Sequence, residues 1–225
     1  MTGLRISMDR LFVACRRPGC YASAMQLTRR TVIAALLAVP GGATAFPAQP
    51  RRTAAALVAT ARRQVGITTG YDPNYTQLRY PGGDVPRDRG VCTDVLIRAY
   101  RDAFGLDLQA LVHADMQHAF AAYPRRWGLK RPDTNIDHRR VPNLAVFFSR
   151  QGARLPLPRD PNGWQAGDIY TCLIGGTIPH IGIISDRRPG GRLGCVIENV
   201  GAGVHEQMAL FDYTLIGRFR WALDG

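Results

Sequence analysis

The order of elements predicts an α+β domain, with N-terminal helices packed on a C-terminal antiparallel sheet. Two observations carry this. Before residue 152 apolar side chains recur at helical spacing, and after residue 164 short β-branched runs alternate with Gly-rich turns. With 46% hydrophobic and 20% charged residues, the 225-residue chain is an ordinary globule with enough apolar surface for one core.

Arg51 to Val65 reads as a helix closed by Gly66. Residues 67–90 are rich in proline and glycine and form a long loop, a kind of segment that commonly carries function. From Cys92 to Phe104 the positions Val95, Leu96, Ala99 and Ala103 share one helical face, and Gly105 ends the helix. Asp107 to Tyr123 is a second periodic stretch stopped by Pro124, and Pro142-Asn143 leads into a short helix ending before Gly152. Strands follow at Ile169 to Ile174, His180 to Ser185, Leu193 to Asn199 and within Leu215 to Leu223.

The first 45 residues read as an address. Arg29-Arg30, the apolar run Thr31 to Val39 and Ala43-Thr44-Ala45 match an export signal with a small-x-small cleavage site, of the ordinary or the twin-arginine kind. Met25 is an alternative start. The expected mature domain is 46–225, exported to the periplasm or cell envelope, without an integral membrane segment and monomeric. The formal charge of +12 first suggests a polyanion partner. Six arginines against Asp9 lie in the leader, which takes five from the charge and leaves +7. The remaining arginines are scattered and not interleaved with aromatics, which argues against nucleic acid. Lys130 is the only lysine, a bias that GC-rich coding explains.

Three cysteines remain after the leader: Cys92, Cys172 and Cys195. An odd number in an oxidising compartment leaves at least one free thiol. Cys92 opens a helix, where unpaired amides and the positive dipole end favour a thiolate. A cysteine on an apolar helix face is also a common core residue. His180, Gly182 and Ile184 fall on one face of a strand, and the glycine leaves space for another element beside the imidazole. A Cys–His pair needs a third polar group to fix the ring, and Glu198 and Asn199 offer one on each face of the next strand. Asp94 has Arg98 one turn away as its simplest partner. Asp133, Asn135 and Asp137 alternate like calcium ligands, but His138 and Leu144 occupy the positions that need glycine and glutamate, so no metal and no cofactor is expected. Asp137, His138, Arg139 and Arg140 fit an internally bonded loop or a cleft wall. His113, His118 and His205 read as structural or solvated.

Tyr80-Pro81-Gly82-Gly83, Gly90-Val91-Cys92-Thr93-Asp94-Val95, Gly167-Asp168 and His180-Ile181-Gly182-Ile183 together resemble the NlpC-type branch of papain-like cysteine peptidases. More closely, Gly83-Asp84-Val85-Pro86, residues 135–143 and Asn199-Val200-Gly201 resemble an uncharacterised family of exported bacterial proteins. The resemblance spans nearly all of 51–225. It implies a papain-like fold with Cys92 as nucleophile, His180 as base, and Glu198 or Asn199 orienting the ring. Tyr80, Asp94, Arg139 and Arg140 would serve the substrate. Thr93 and Asp94 depart from the usual Ser-Gly and Val91 from aspartate, while Glu198 stands where close relatives usually carry histidine. The implied activity is hydrolysis of amide bonds in peptidoglycan stem peptides. A non-catalytic envelope-binding module or a Cys-dependent acyltransferase on the same fold are the alternatives.

Overall fold

In the computed structural model, which describes residues 51–224, Thr53 caps the first helix by accepting the Ala56 N–H at 3.1 Å. That helix, α1 (Ala54–Arg62), is shorter than its periodic stretch because the chain turns at Gly66, whose φ of +79° suits glycine. The leader proposed for 1–45 lies outside the described residues.

The loop that follows is ordered from within. Its ends pair as β1 (Gly70–Tyr71) and β2 (Arg89–Gly90), in parallel. Its middle wraps the guanidinium of Arg98, which is only 1% exposed. Arg98 donates to both Asp84 oxygens, to the carbonyls of Val85, Pro86 and Arg89, and to Thr68 Oγ1. A buried cation is tolerated because its donors are satisfied. The Gly-Asp-Val-Pro motif is therefore the cradle of this arginine.

Arg98 belongs to α2 (Cys92–Phe104), which ends in the left-handed Gly105. Next come α3 (Leu108–Ala119), capped by Asp107, and α4 (Val141–Arg150), with Pro142 in its first turn. The helix expected to reach Tyr123 stops at Ala119, and residues 120–122 tighten into a 3₁₀ turn. No helix among the described residues is long and apolar enough to cross a membrane.

The remaining strands are β3 (Arg154–Leu155), β4 (Ile169–Ile174), β5 (Ile178–Ile184), β6 (Cys195–Asn199), β7 (Val204–Met208) and β8 (Thr214–Phe219). They form one six-stranded antiparallel sheet in the order β3-β8-β4-β5-β6-β7. Side-chain alternation gives this sheet two faces. Ile169, Ile181, Ile183, Ile197 and Phe219 pack with Leu57, Val95, Leu96, Leu144 and Phe148 of the helices. Each such burial contributes about 1.5–3 kcal/mol. Tyr170, Cys172, Ile184 and Val196 face the other way and build a second cluster with Trp164 and Leu210. The architecture is thus α+β, with the helices covering one face of the sheet. Everything described falls within one compact unit, Pro47–Gly225.

Candidate active site

Cys92 is the first residue of α2, and the chain before it must fold tightly to place it there. Asp94 reaches back over the helix start and accepts the Val91 N–H at 2.7 Å, closing one orphan amide. A Cβ on Gly90 would meet that carboxylate at 2.9 Å, so glycine is required at 90. Asp94 also takes a bidentate pair from Arg139, at 3.0 and 2.9 Å. The expected Asp94–Arg98 pair is not formed, because Arg98 is committed to the 67–90 loop. Thr93 donates to the Arg139 carbonyl at 3.0 Å. Both departures from the Ser-Gly pattern therefore dock the 137–139 turn on the start of α2.

His180 stands near the beginning of β5, on the face turned away from the helices, directly opposite Cys172. The space beside Gly182 belongs to Tyr170 and not to a helix, since a Cβ there would meet the tyrosine ring at 2.7 Å. The β5–β6 ladder is confined to Ile183–Ile197 and Ile184–Val196. Beyond it, Asn199 donates to the carbonyls of Gly70 and Gly90, at 3.2 and 3.1 Å, and so ties the residues before Cys92 to the end of β6. Its carbonyl oxygen accepts from Gly201 N–H in the following turn.

Glu198 is the residue that meets the imidazole, Oε2 lying 2.7 Å from His180 Nε2. It is 1% exposed, and three further donors hold it. Tyr170 OH bonds the same oxygen, while Gln207 Nε2 (3.0 Å) and Tyr213 OH (2.7 Å) bond Oε1. Burial pushes this carboxyl up, but the bonds from His180, Tyr170 and Gln207 outweigh it and hold the acid below its ordinary range. His180 shows the complementary balance. Burial lowers it, the neighbouring Cys92 and Glu198 raise it, and the net result is about 9. With Nε2 turned to Glu198, Nδ1 is the ring nitrogen left for the thiol.

An open cleft of about 310 Å³ lies over Cys92, lined among others by Tyr71, Val91, Arg126, Trp127, Arg140 and Pro179. Tyr71 sits close to the thiol; its hydroxyl is pushed up to about 12 by burial and then by Cys92 and Asp94. Arg140 enters the cleft wall, pairs with Asp137 at 3.0 Å and lies 4.1 Å from the Trp127 ring centre. Arg139 also borders the cleft, yet its guanidinium is spent on Asp94 and the carbonyls of Asp72 and Asn74. Tyr80 is elsewhere: it is 44% exposed and packs edge-on against His113 at 5.2 Å, because Gly82 and Gly83 dock on the α3 cap Asp107 and on Gln109 in its first turn. Tyr71, and not Tyr80, is the tyrosine beside the cysteine.

Sequence reasoning missed the carboxylate's supports. Gly182 opposite Tyr170 was a readable cue, whereas Gln207, Tyr213 and Trp127 carried no motif. The 133–143 segment is an internally bonded loop: Asp137 accepts from Asp133 N–H, Arg140 and Asn143. Burial makes His138 within it hard to protonate, near 3. Cys172 and Cys195 are free and lie on β4 and β6, either side of β5. Burial pushes the Cys172 thiol up to about 12.

Residues 58–221 match the family described as Domain of unknown function (DUF1287). The Uncharacterized protein YijF of Escherichia coli (strain K12) is 51% identical over 161 residues, which take in 72% of this chain and 78% of the relative. Among solved structures, NlpC1 from Trichomonas vaginalis is similar at 13% identity with a TM-score of 0.37, over 73% of this chain and 42% of that one.

Proposed function

We propose that this chain, which belongs to the DUF1287 family, is a papain-like cysteine hydrolase of amide bonds. The observation that carries the reading is the chain of contacts from Cys92, which lines an open cleft, to His180 and on to Glu198, with the carboxylate fixed by three further donors. A nucleophile, a base and an orienting group within hydrogen-bonding reach are what acyl transfer through a thioester requires.

In this mechanism Cys92 Sγ attacks the substrate carbonyl carbon. The Cys92 N–H, which has no intrahelical acceptor in the first turn, holds the oxyanion. The protonated imidazole gives its proton to the leaving amine, the C–N bond breaks and a thioester remains. Water then attacks that thioester with His180 taking its proton, and the acid and the Cys92 thiol are released. Glu198 accepts from Nε2–H throughout and keeps Nδ1 facing the sulfur.

The substrate class we assign is the peptide stem of peptidoglycan, met in the periplasm or cell envelope. The export pattern in residues 1–45 and the cationic cleft wall support it. Purified protein incubated with sacculi under reducing conditions is expected to release new muropeptides, and Cys92→Ala to release none. No release by the unaltered protein removes the substrate assignment. The alternative, a binding module on the same fold, draws on the changed residues around Cys92 and at 198; Thr93 and Asp94 have structural partners in Arg139, and Glu198 is bonded to His180, which supports the hydrolase reading.

A further inference from the structure

One wall of the Cys92 cleft is built differently from the rest. The Trp127 ring carries two arginines over it, Arg140 Cζ at 4.1 Å and Arg126 Cζ at 5.7 Å from the ring centre. All three residues line the cleft that holds Cys92. Stacking on an indole holds a guanidinium in place while leaving its N–H edge available. Arg140 has one nitrogen on Asp137 and keeps other donors. No carboxylate pairs with Arg126 among the described residues, and it is exposed beside the cleft. Two cations beside one indole on the wall of a small cleft, one of them without a counter-charge, form a site for an anion.

We propose that Arg126, positioned by Trp127 and seconded by Arg140, binds a free carboxylate of the substrate and selects peptides that carry one close to the scissile amide. Planar guanidinium edges match a carboxylate in a way that a scattered positive field does not. This assigns the substrate-carboxylate role to Arg126 and Arg140, because Arg139 is locked to Asp94. The inference rests on the reading of the Cys92 cleft as the substrate site, but not on turnover.

The test uses the full chain carrying Cys92→Ala, which cannot form a thioester. Trp127 fluorescence, identified by its loss in Trp127→Phe, is titrated with N-acetyl-dialanine and with its C-terminal amide; small side chains suit a cleft of about 310 Å³. The acid is expected to bind about tenfold more tightly than the amide at low salt. Arg126→Gln is expected to abolish that preference and Arg126→Lys to retain part of it. Equal binding of acid and amide, a preference that survives Arg126→Gln, or no binding of the acid would each overturn the proposal. Failure of hydrolysis with the preference intact would instead remove the enzyme reading and leave the subsite standing.

Discussion

Replacing Glu198 by glutamine keeps the shape of the side chain and removes its charge, so it asks whether this carboxylate sets the state of His180. Four donors converge on Glu198: the imidazole and Tyr170 on one oxygen, Gln207 and Tyr213 on the other. An amide offers one oxygen where the acid offered two, and its NH₂ faces groups that now donate. Tyrosine hydroxyls can swing to accept and Gln207 can turn its amide, so no donor need remain wholly orphaned. What is lost is the charge assistance, roughly 1 kcal/mol per bond, for a total of about 2–4 kcal/mol in a urea melt. The imidazole, held at about 9 against burial by Cys92 and Glu198, then titrates about one to three pH units lower. Labelled-histidine NMR reads that midpoint directly among five ring signals, with His180→Gln identifying the right one. Asn199→Ala is the control. It removes one donor each from the Gly70 and Gly90 carbonyls and costs about 1–2 kcal/mol, but leaves the ring midpoint in place. An unmoved midpoint in a folded Glu198→Gln protein, or an equal shift in Asn199→Ala, would refute the assignment.

Other perturbations test the supports of the site. Arg98→Ala leaves Asp84 without its buried partner and removes a donor from the Val85, Pro86 and Arg89 carbonyls and from Thr68 Oγ1, and should cost about 3–5 kcal/mol with the 67–90 loop becoming protease-sensitive; native-like melting would show that the loop is ordered by something else. Gly182→Ala forces a methyl against Tyr170 and should cost about 1–3 kcal/mol while lowering the His180 midpoint, because Tyr170 is displaced from Glu198. The pH dependence of stability has a definite sign. His180 is raised when folded, so its contribution is complete below the ordinary histidine value of 6.5 and is lost as pH rises through about 9. Urea melts at pH 6 and 9.5 should differ by about 3 kcal/mol more in the unaltered protein than in His180→Gln; equal slopes would contradict the raised midpoint.

The parts of this molecule legible in its sequence are those where one physical signal dominates. Cys92 to Phe104 carried both a helical stripe and a glycine stop, and α2 has those bounds. Ile169 to Ile174 is a short, mostly apolar run rich in β-branched residues between turn residues, and it forms a central strand. Strand β7 escaped notice because Val204-His205-Glu206-Gln207-Met208 looks polar; Glu206 points toward the helices and is satisfied there by Arg62. The His180 face was readable from alternation, but not which layer lay against it, since both faces of β5 are buried. Glu198 and Asn199 could not be separated on spacing alone. Tertiary contacts decide between them, giving the imidazole to one and the backbone before Cys92 to the other. Tyr71 and Trp127 sit in irregular segments, where no period exists to reveal a side chain's direction.

The central claim is that Cys92 and His180 act as a coupled pair. The most direct measurement is the rate of iodoacetamide modification of each cysteine against pH, read by peptide mass spectrometry, with and without His180→Ala. All three cysteines are buried, but Cys92 alone lines this cleft, so the account predicts that Cys92 reacts while Cys172 and Cys195 stay protected. It also predicts an inflection in the Cys92 profile that disappears when His180 is removed. Superimposable profiles in the two proteins would mean that the pair is core packing and that the chemistry proposed for it does not occur.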